Sequence, residues 1–238
     1  MKMTSKAHFF DHVEELRFRL FKSLIAILMG AMITHYFSDL LLIELIKPST
    51  KLNFPLTLQV LKITSMFMIK LGMAFMGGVI LASPVVLYQI WKFIYPAFKD
   101  GPNNSILLIV TFSTLFFIIG LVFGYKIIIP FSLNFFTSVV SSGLDIKYNF
   151  TLEGYLTYVM WLMFTSGLIF QLPVISLMGT KVGILTPAFL KHYRKYAIII
   201  FLIIGSLLTP PDPLSQILIF CPLVFLYEFS IIISWIFK

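Results

Sequence analysis

The stretch that decides the fold is Leu208-Thr209-Pro210-Pro211-Asp212-Pro213-Leu214-Ser215-Gln216, with runs of Ile, Leu and Phe on either side. Its three prolines carry no backbone N–H, so neither a helix nor a strand can continue through them. The aspartate beside them would be costly inside lipid. The stretch, called the proline-aspartate turn below, therefore predicts a crossing of the membrane surface where two apolar helices reverse direction.

The composition is that of an integral membrane protein. Hydrophobic residues make up 59% of the 238 residues and charged residues only 12%, whereas soluble domains are about half apolar and a quarter charged. No cleavable signal sequence is expected at the N-terminus, because Asp11, Glu14 and Glu15 precede the first apolar stretch and no small-residue cleavage site follows it. The single cysteine, Cys221, cannot form an internal disulfide.

Six apolar stretches predict six transmembrane helices within a single membrane domain that covers residues 1–238. A hydrocarbon core of about 30 Å needs about 20 helical residues, and the fifth stretch, with 13 residues, reaches only about 20 Å. The sixth contains Pro222. The predicted spans are about 21–37, 66–90, 105–131, 155–179, 196–208 and 214–237.

An interfacial amphipathic helix is predicted within residues 1–20, before the first span. Apolar residues recur at helical spacing and charged residues occupy another face, as expected of a helix that lies on a membrane surface. The apolar set is Phe9, Val13, Leu16 and Leu20, and the charged set is Asp11, Glu15, Arg19 and Lys22.

The Lys and Arg residues orient the helices. Twelve fall on the side that holds both termini and four on the other, which places both termini on the cytoplasmic or matrix side. The net charge of +8 is explained by this orientation and predicts no nucleic-acid partner. Prolines in or near the spans should kink the helices into a concave bundle. The predicted fold is thus an all-α integral membrane protein with six kinked transmembrane helices and short fifth and sixth spans.

Neither a cofactor nor an enzymatic site is predicted. His8 and His12 have the i,i+4 spacing of a shared metal, but no third ligand lies nearby in the sequence. No Ser/His/Asp or Cys/His set, metalloprotease motif or phosphate-binding glycine loop is present.

Two polar residues lie deep in predicted spans and are functional candidates by their position. Gln171, beside Pro173, could hold a backbone carbonyl freed by the proline or could face a groove. Glu228 lies midway along the sixth span and must be protonated or paired. Lys70 and Lys126 lie near span ends, where they can extend to the interface.

Four ordered motifs together resemble the TatC family, the multi-spanning subunit of the twin-arginine protein translocase. The first resembles the family's H-x-x-E-L-R-x-R-L opening, the second its P-x-x-x-Y-Q-x-W-x-F-x-x-P signature, the third its fourth-helix segment, and the last its T-P-P-D-x-x-S-Q and L-Y-E ending. In the same order, the four motifs lie at residues 11–20, 83–96, 167–174, and 209–216 together with 226–228 of this chain.

The resemblance implies a receptor and translocation core that moves folded proteins with the proton gradient and without ATP. It also implies small single-span partners of the TatA and TatB type, lipid contact and self-association. Signal peptides with paired arginines would bind at the matching position Glu15, because guanidinium pairs favour fixed carboxylates, while Arg17 would order the helix. The family's partner-docking region matches Thr209, Asp212 and Gln216.

The chain departs from the family pattern at two acidic positions. The acidic residue of the loop after the second span is replaced by Pro102, and Asp100 is the candidate substitute two residues earlier. The acidic residue that opens the second span is replaced by Ser65, whereas Gln171 is accepted in the family beside glutamate. A relaxed arginine-pair site, as in a translocase with few substrates, is expected.

The residue usage points to an A/T-rich genome, since Phe occurs 26 times and Lys far outnumbers Arg. This favours an organelle or a reduced bacterium, and the predicted location is the mitochondrial inner membrane, otherwise a plastid thylakoid or a bacterial plasma membrane. The alternative function is a proton- or ion-coupled small-solute transporter, for which Gln171 and Glu228 would line the site. A structural subunit that has lost transport is a third possibility.

Overall fold

The computed structural model describes residues 3–50, 57–94, 104–140, 149–181, 183–208 and 213–236. These residues form α-helices joined by short segments, together with one pair of three-residue parallel strands, so the prediction of a helical membrane protein is confirmed. The elements are α1 (Met3–Tyr36), α2 (Ser38–Thr50), β1 (Thr57–Gln59), α3 (Ser65–Ile94), α4 (Asn104–Phe123), a π-helical turn (Gly124–Ile128), α5 (Ile129–Val140), β2 (Asn149–Thr151), α6 (Leu152–Ile169), α7 (Leu172–Lys181), α8 (Pro187–His192), α9 (Arg194–Leu208) and α10 (Pro213–Ile236).

Four described segments are long and apolar enough to cross a membrane, or five if α1 and α2, bent by 79° to each other, form one broken span. α9 contains the predicted fifth span but has only 15 residues, fewer than a bilayer normally requires. The six-span count therefore stays a prediction, as does the side on which the termini lie. The four segments are Ser65–Ile94, Ile106–Thr137, Leu152–Lys181 and Gln216–Ile236.

The structure joins two segments that the sequence treated separately, and it corrects the predicted length of a third. The predicted interfacial helix and the first span form one continuous helix of 34 residues, α1, because no proline interrupts the sequence between them. The sixth span is not short, since α10 has 24 residues and tolerates Pro222 within it. The helix α2, which follows the sharp bend after Tyr36, was not predicted at all.

α1 and α3 cross in close contact because glycines occupy the crossing point. A Cβ atom on Gly78 would lie 2.6 Å from the Ala31 backbone nitrogen and 2.7 Å from the Ile27 carbonyl oxygen. A Cβ atom on Gly30 would lie 2.7 Å from the Gly78 carbonyl oxygen. These distances are shorter than van der Waals contact, so the two backbones can approach this closely only without side chains, as in small-residue crossings of membrane helices.

Two tyrosine hydroxyls hold the short helix α2. Pro48 has no N–H, so the carbonyl of Glu44 loses its helical donor, and the Tyr125 hydroxyl donates to that carbonyl at 2.7 Å. The Tyr155 hydroxyl donates to the next carbonyl, that of Leu45, at 3.0 Å. Because Tyr125 lies in the π-helical turn, the irregular turn supplies one of the donors that α2 requires.

The centre of the bundle is α6. Leu156, Val159 and Leu162, at helical spacing on α6, are fully buried in a cluster that also includes residues of α3, α5, α9 and α10. The helix ends at Ile169, and α7 begins at Leu172, one residue before Pro173. The proline thus interrupts the predicted fourth span and places Gln171 at the break.

Candidate functional site

The Glu15 carboxylate on α1 already holds a guanidinium. Arg19, one helical turn later, donates from Nε to Glu15 Oε1 at 2.9 Å, and its Nη2 contacts the same oxygen. His12 Nδ1 lies 3.5 Å from the other carboxylate oxygen. The three residues share one face because they are spaced by three and four positions.

This carboxylate is ionised and accessible. The Glu15 side chain is 36% exposed, and it precedes the apolar part of α1. The hydrogen bond from Arg19 lowers the pKa of Glu15 below its usual value. Glu15 is therefore an anionic group, open to solvent, at the start of the first membrane helix.

An aromatic contact joins the α1 motif to the end of α3. The His12 ring stacks on the Phe93 ring, with centroids 4.4 Å apart and planes 14° from parallel. Phe93 belongs to the second sequence motif and lies two residues before the segment 95–103, which is outside the described residues. The predicted partner carboxylate Asp100, and Pro102, lie in that segment. The structure thus brings two of the four motifs together.

Arg17 does not contact Glu15 in the described structure. Its guanidinium lies 5.8 Å from the centroid of the Phe18 ring. Arg17 and Phe18 line a surface groove of about 330 Å³ whose other described lining residues are apolar and belong to α1. The Arg17 guanidinium therefore lies beside an apolar surface of α1, two positions after Glu15 in the sequence.

Gln171 is buried in a hydrogen-bond network that connects three helical segments. Its Nε2 donates to the Ser113 carbonyl at 3.0 Å, and the Ser113 hydroxyl donates to its Oε1. Trp91 Nε1 donates to the same hydroxyl at 3.0 Å. Of the two alternatives left open by the sequence, this network favours the role of an internal connector over that of a groove-facing contact.

Glu228 is paired with a residue that the sequence did not suggest. Arg194 Nη2 donates to Glu228 Oε2 at 2.7 Å, and both side chains are a little over 40% exposed. The next residue, Tyr227, donates its hydroxyl to the Leu190 carbonyl at 2.7 Å. The start of α9 and the end of α8 are therefore both attached to the middle of α10.

Gln216 joins α10 to α9. Its Nε2 donates to the Leu202 carbonyl at 3.0 Å. Thr209 and Asp212, the other predicted docking residues, lie outside the described residues, as do Pro210 and Pro211 between them. The structure thus locates one of the three docking candidates, at the contact between the last two helices.

Sequence reasoning missed Arg19, Ser113 and Arg194 as partners of the predicted residues. The i,i+4 spacing of Glu15 and Arg19 was a usable signal. The other two pairs join residues 58 and 34 positions apart, and periodicity carries no signal for such contacts. Within the described ranges, no three His, Cys, Asp or Glu side chains are grouped as a metal ion would need.

Comparison with known proteins gives a consistent result. Residues 11–222 match the family described as TatC, Sec-independent protein translocase protein. The chain is similar to the Sec-independent protein translocase protein TatC of Carboxydothermus hydrogenoformans, with 35% identity over 227 residues, 94% of this chain and 91% of the relative. It is 34% identical to the TatCy protein of Bacillus subtilis over 224 residues, 94% of this chain and 87% of the relative.

The fold is also similar to a solved structure. A crystal structure of the twin arginine translocase receptor TatC superposes with a TM-score of 0.86 and 33% identity. The match covers 94% of this chain and 98% of that chain. The likeness therefore extends over nearly the whole molecule.

Proposed function

This chain belongs to the TatC family of Sec-independent protein translocase proteins, and from that premise we propose that Glu15 binds the arginine pair of signal peptides. The chain is a membrane subunit of a protein translocase and not an enzyme. The observation that carries the proposal is the contact of Glu15 with Arg19, which supports it because the same carboxylate oxygens would accept from the guanidinium of a peptide.

The incoming arginine would replace or share the position of Arg19. Oε1 of Glu15 accepts from Arg19, while Oε2 faces His12 at 3.5 Å, beyond hydrogen-bond distance. An arginine side chain can donate two parallel hydrogen bonds to a carboxylate, which a lysine cannot. Glu15 is therefore suited to discriminate arginine from lysine, and the neighbouring Arg17 stabilises the helix that presents it.

Asp100 is the proposed carboxylate for the second arginine. The His12–Phe93 stack fixes α1 against the last turn of α3, and Asp100 lies seven positions after Phe93 in the chain. A segment of that length can reach Glu15. With Pro102 at the family's acidic position, recognition would depend more strongly on Glu15.

Small single-span subunits of the TatA and TatB type are the proposed partners, and α9 with α10 is the proposed docking surface. The shortness of α9 and the Gln216–Leu202 hydrogen bond support this assignment. Thr209 and Asp212, between α9 and α10 in the sequence, are the other proposed docking residues. The protein is also proposed to self-associate, to contact membrane lipid and to use the proton gradient for transport. No cofactor is part of the proposal.

The protein is a multi-pass membrane protein, and the relatives described above are bacterial. They favour the plasma membrane of a bacterium with an A/T-rich genome. The mitochondrial inner membrane and the plastid thylakoid, suggested by residue usage, receive no support from these relatives.

Site-specific crosslinking tests the assignment of Glu15. A signal peptide with a photo-crosslinker beside its arginine pair should crosslink to membranes carrying the wild-type protein. Glu15→Ala should abolish the crosslink, whereas Glu14→Ala, which removes the adjacent exposed carboxylate, should retain it. If Glu15→Ala crosslinks like the wild type, Glu15 is not a receptor residue.

The alternative of an ion-coupled solute transporter finds no support in these residues. A midplane site would need available polar groups, but Gln171 is engaged by Ser113 and Glu228 by Arg194. Solute uptake by the reconstituted protein alone, lost in Glu228→Gln, would be needed to restore that alternative.

A further inference from the structure

The junction of α8 and α9 exposes an aromatic stripe beside a group of cations. Backbone hydrogen bonds continue through Tyr193, which accepts from the N–H groups of Tyr196 and Ala197 at 3.0 Å. Phe189, Tyr193 and Tyr196 therefore recur at helical spacing, and each ring-bearing side chain is between 43% and 49% exposed. Their rings lie in contact, with centroids 4.4 Å and 5.8 Å apart along the stripe.

Three cationic residues flank this stripe, and they exceed the acidic groups available to them. In the part of the chain that the structure describes, their one ion pair is that of Arg194 with Glu228. Lys195 Nζ lies over the Tyr196 ring, 5.1 Å from its centroid, and Lys191 is exposed. The three, called the elbow cations below, are Lys191, Arg194 and Lys195.

The position of the elbow along the chain is that of a membrane interface. From Ala197 to Leu208 the helix α9 contains no charged residue, so the hydrocarbon region begins directly after Tyr196. Tyrosines and basic residues at such a boundary lie at the level of the lipid headgroups. The loop before α8 is tightly built, since Gly183 adopts a φ of 80° and Thr186 caps the helix by accepting from the Phe189 N–H at 3.1 Å.

The elbow is anchored to the bundle rather than free to move away from it. Leu190 is buried, and its carbonyl accepts from the Tyr227 hydroxyl. The Arg194–Glu228 pair holds the next turn. The exposed aromatic and basic side chains are thus presented by a backbone fixed on its inner side.

We propose that the α8–α9 elbow is a binding site for anionic phospholipid headgroups, with Lys191 and Lys195 contacting the phosphate and Tyr193 and Tyr196 at the boundary of the acyl chains. Charge complementarity selects the occupant, because the elbow cations outnumber their carboxylate partners and the aromatic stripe favours an amphipathic ligand. Lipid binding there holds the start of α9 at the membrane surface. Because this helix has only 15 residues and is shorter than the bilayer is thick, the bilayer around it must then become thinner. The proposal is independent of signal-peptide binding.

Native mass spectrometry of the full chain in detergent, titrated with phosphatidylglycerol or with phosphatidylcholine of the same acyl chains, tests the site. Each basic residue near a membrane surface contributes a factor of about five to anionic-lipid binding. Lys191→Gln with Lys195→Gln should therefore weaken phosphatidylglycerol binding about 25-fold and leave phosphatidylcholine unchanged. Lys191→Arg with Lys195→Arg should retain binding, which separates loss of charge from loss of folding.

The matched control removes two exposed lysines elsewhere, Lys62 and Lys126, by substitution with glutamine, and it should bind phosphatidylglycerol like the wild type. An equal loss in this control would overturn the site, because net charge alone would then explain binding. So would wild-type binding in the glutamine variant of the elbow. Displacement of the lipid by an equal concentration of soluble glycerol phosphate would also contradict the proposal, since it would assign the site to a free phosphate.

Discussion

Arg194 and Glu228 form an ion pair, with Arg194 Nη2 2.7 Å from Glu228 Oε2, that joins the first turn of α9 to the middle of α10. The carboxylate was predicted to lie in an apolar span, where an unpaired charge is expensive. Pairing removes that difficulty and also attaches the start of the short helix α9 to α10.

A double-mutant cycle should detect this pair. Glu228→Gln and Arg194→Gln should each lower the free energy of unfolding, and the double variant should lose less than the sum of the two. Because both side chains are more than 40% exposed, we expect a coupling energy of about 0.5–1 kcal/mol. Denaturation in mild detergent measures it, and strictly additive effects would show that the pair contributes nothing.

The Tyr125 hydroxyl replaces the hydrogen bond that Pro48 removes from α2. Tyr125→Phe should therefore lower the free energy of unfolding by about 1 kcal/mol, since the Glu44 carbonyl loses its donor. Tyr36→Phe is the matched control, because Tyr36 is 83% exposed and its hydroxyl is open to solvent. Equal melting temperatures for the two variants would contradict the claim that the Tyr125 hydroxyl stabilises α2.

The α1–α3 crossing should tolerate no side chain at Gly78. Gly78→Ala introduces a Cβ atom 2.6 Å from the Ala31 nitrogen, and forced separation of packed helices costs about 1–3 kcal/mol. Gly72→Ala, in the same helix, meets only the flexible end of Met160 at 3.5 Å and should be neutral or stabilising by up to about 1 kcal/mol.

The position of α1 depends on this crossing, so Gly78→Ala should also weaken signal-peptide crosslinking at Glu15. If Gly78→Ala and Gly72→Ala have comparable free energies of unfolding and comparable crosslinking yields, close packing of α1 on α3 does not depend on Gly78.

The sequence predicted those parts of the fold that depend on local composition. Apolar length located the helices, and the proline-aspartate turn separates α9 from α10 as expected. The break at Gln171 follows from Pro173. The bend after Tyr36 and the helix α2 could not be read from periodicity, because their support comes from tyrosine hydroxyls 81 and 110 positions away.

The candidate site was predictable in its residue types but not in its contacts. Glu15 was identified from a motif, and its pairing with Arg19 follows from helical spacing. The stacking of His12 on Phe93 depends on how α1 crosses α3, which no local pattern specifies. Asp100, Thr209 and Asp212 remain predictions.

Lengthening α9 should impair transport. The proline-aspartate turn and this short helix are proposed to border a thinned, partner-docking flank of the bilayer. Insertion of one helical turn of leucines within residues 196–208 should reduce transport of folded cargo while membrane insertion stays intact. Replacing Ile199 and Ile200 with leucine preserves length and should leave transport unchanged, whereas unaltered transport after the insertion would contradict the thinning hypothesis.

The most direct test of the proposed receptor site is the Kd of a twin-arginine peptide for the full chain in lipid nanodiscs, measured by fluorescence anisotropy with a twin-lysine peptide alongside. Loss of one charge-assisted, bidentate contact costs about 1.5–3 kcal/mol, so Glu15→Gln should weaken the twin-arginine peptide at least tenfold and reduce its preference over the twin-lysine peptide. Lys22→Gln, on the same helix, should leave both unchanged. A Glu15→Gln protein that binds the twin-arginine peptide with the wild-type Kd and the wild-type preference would contradict the account.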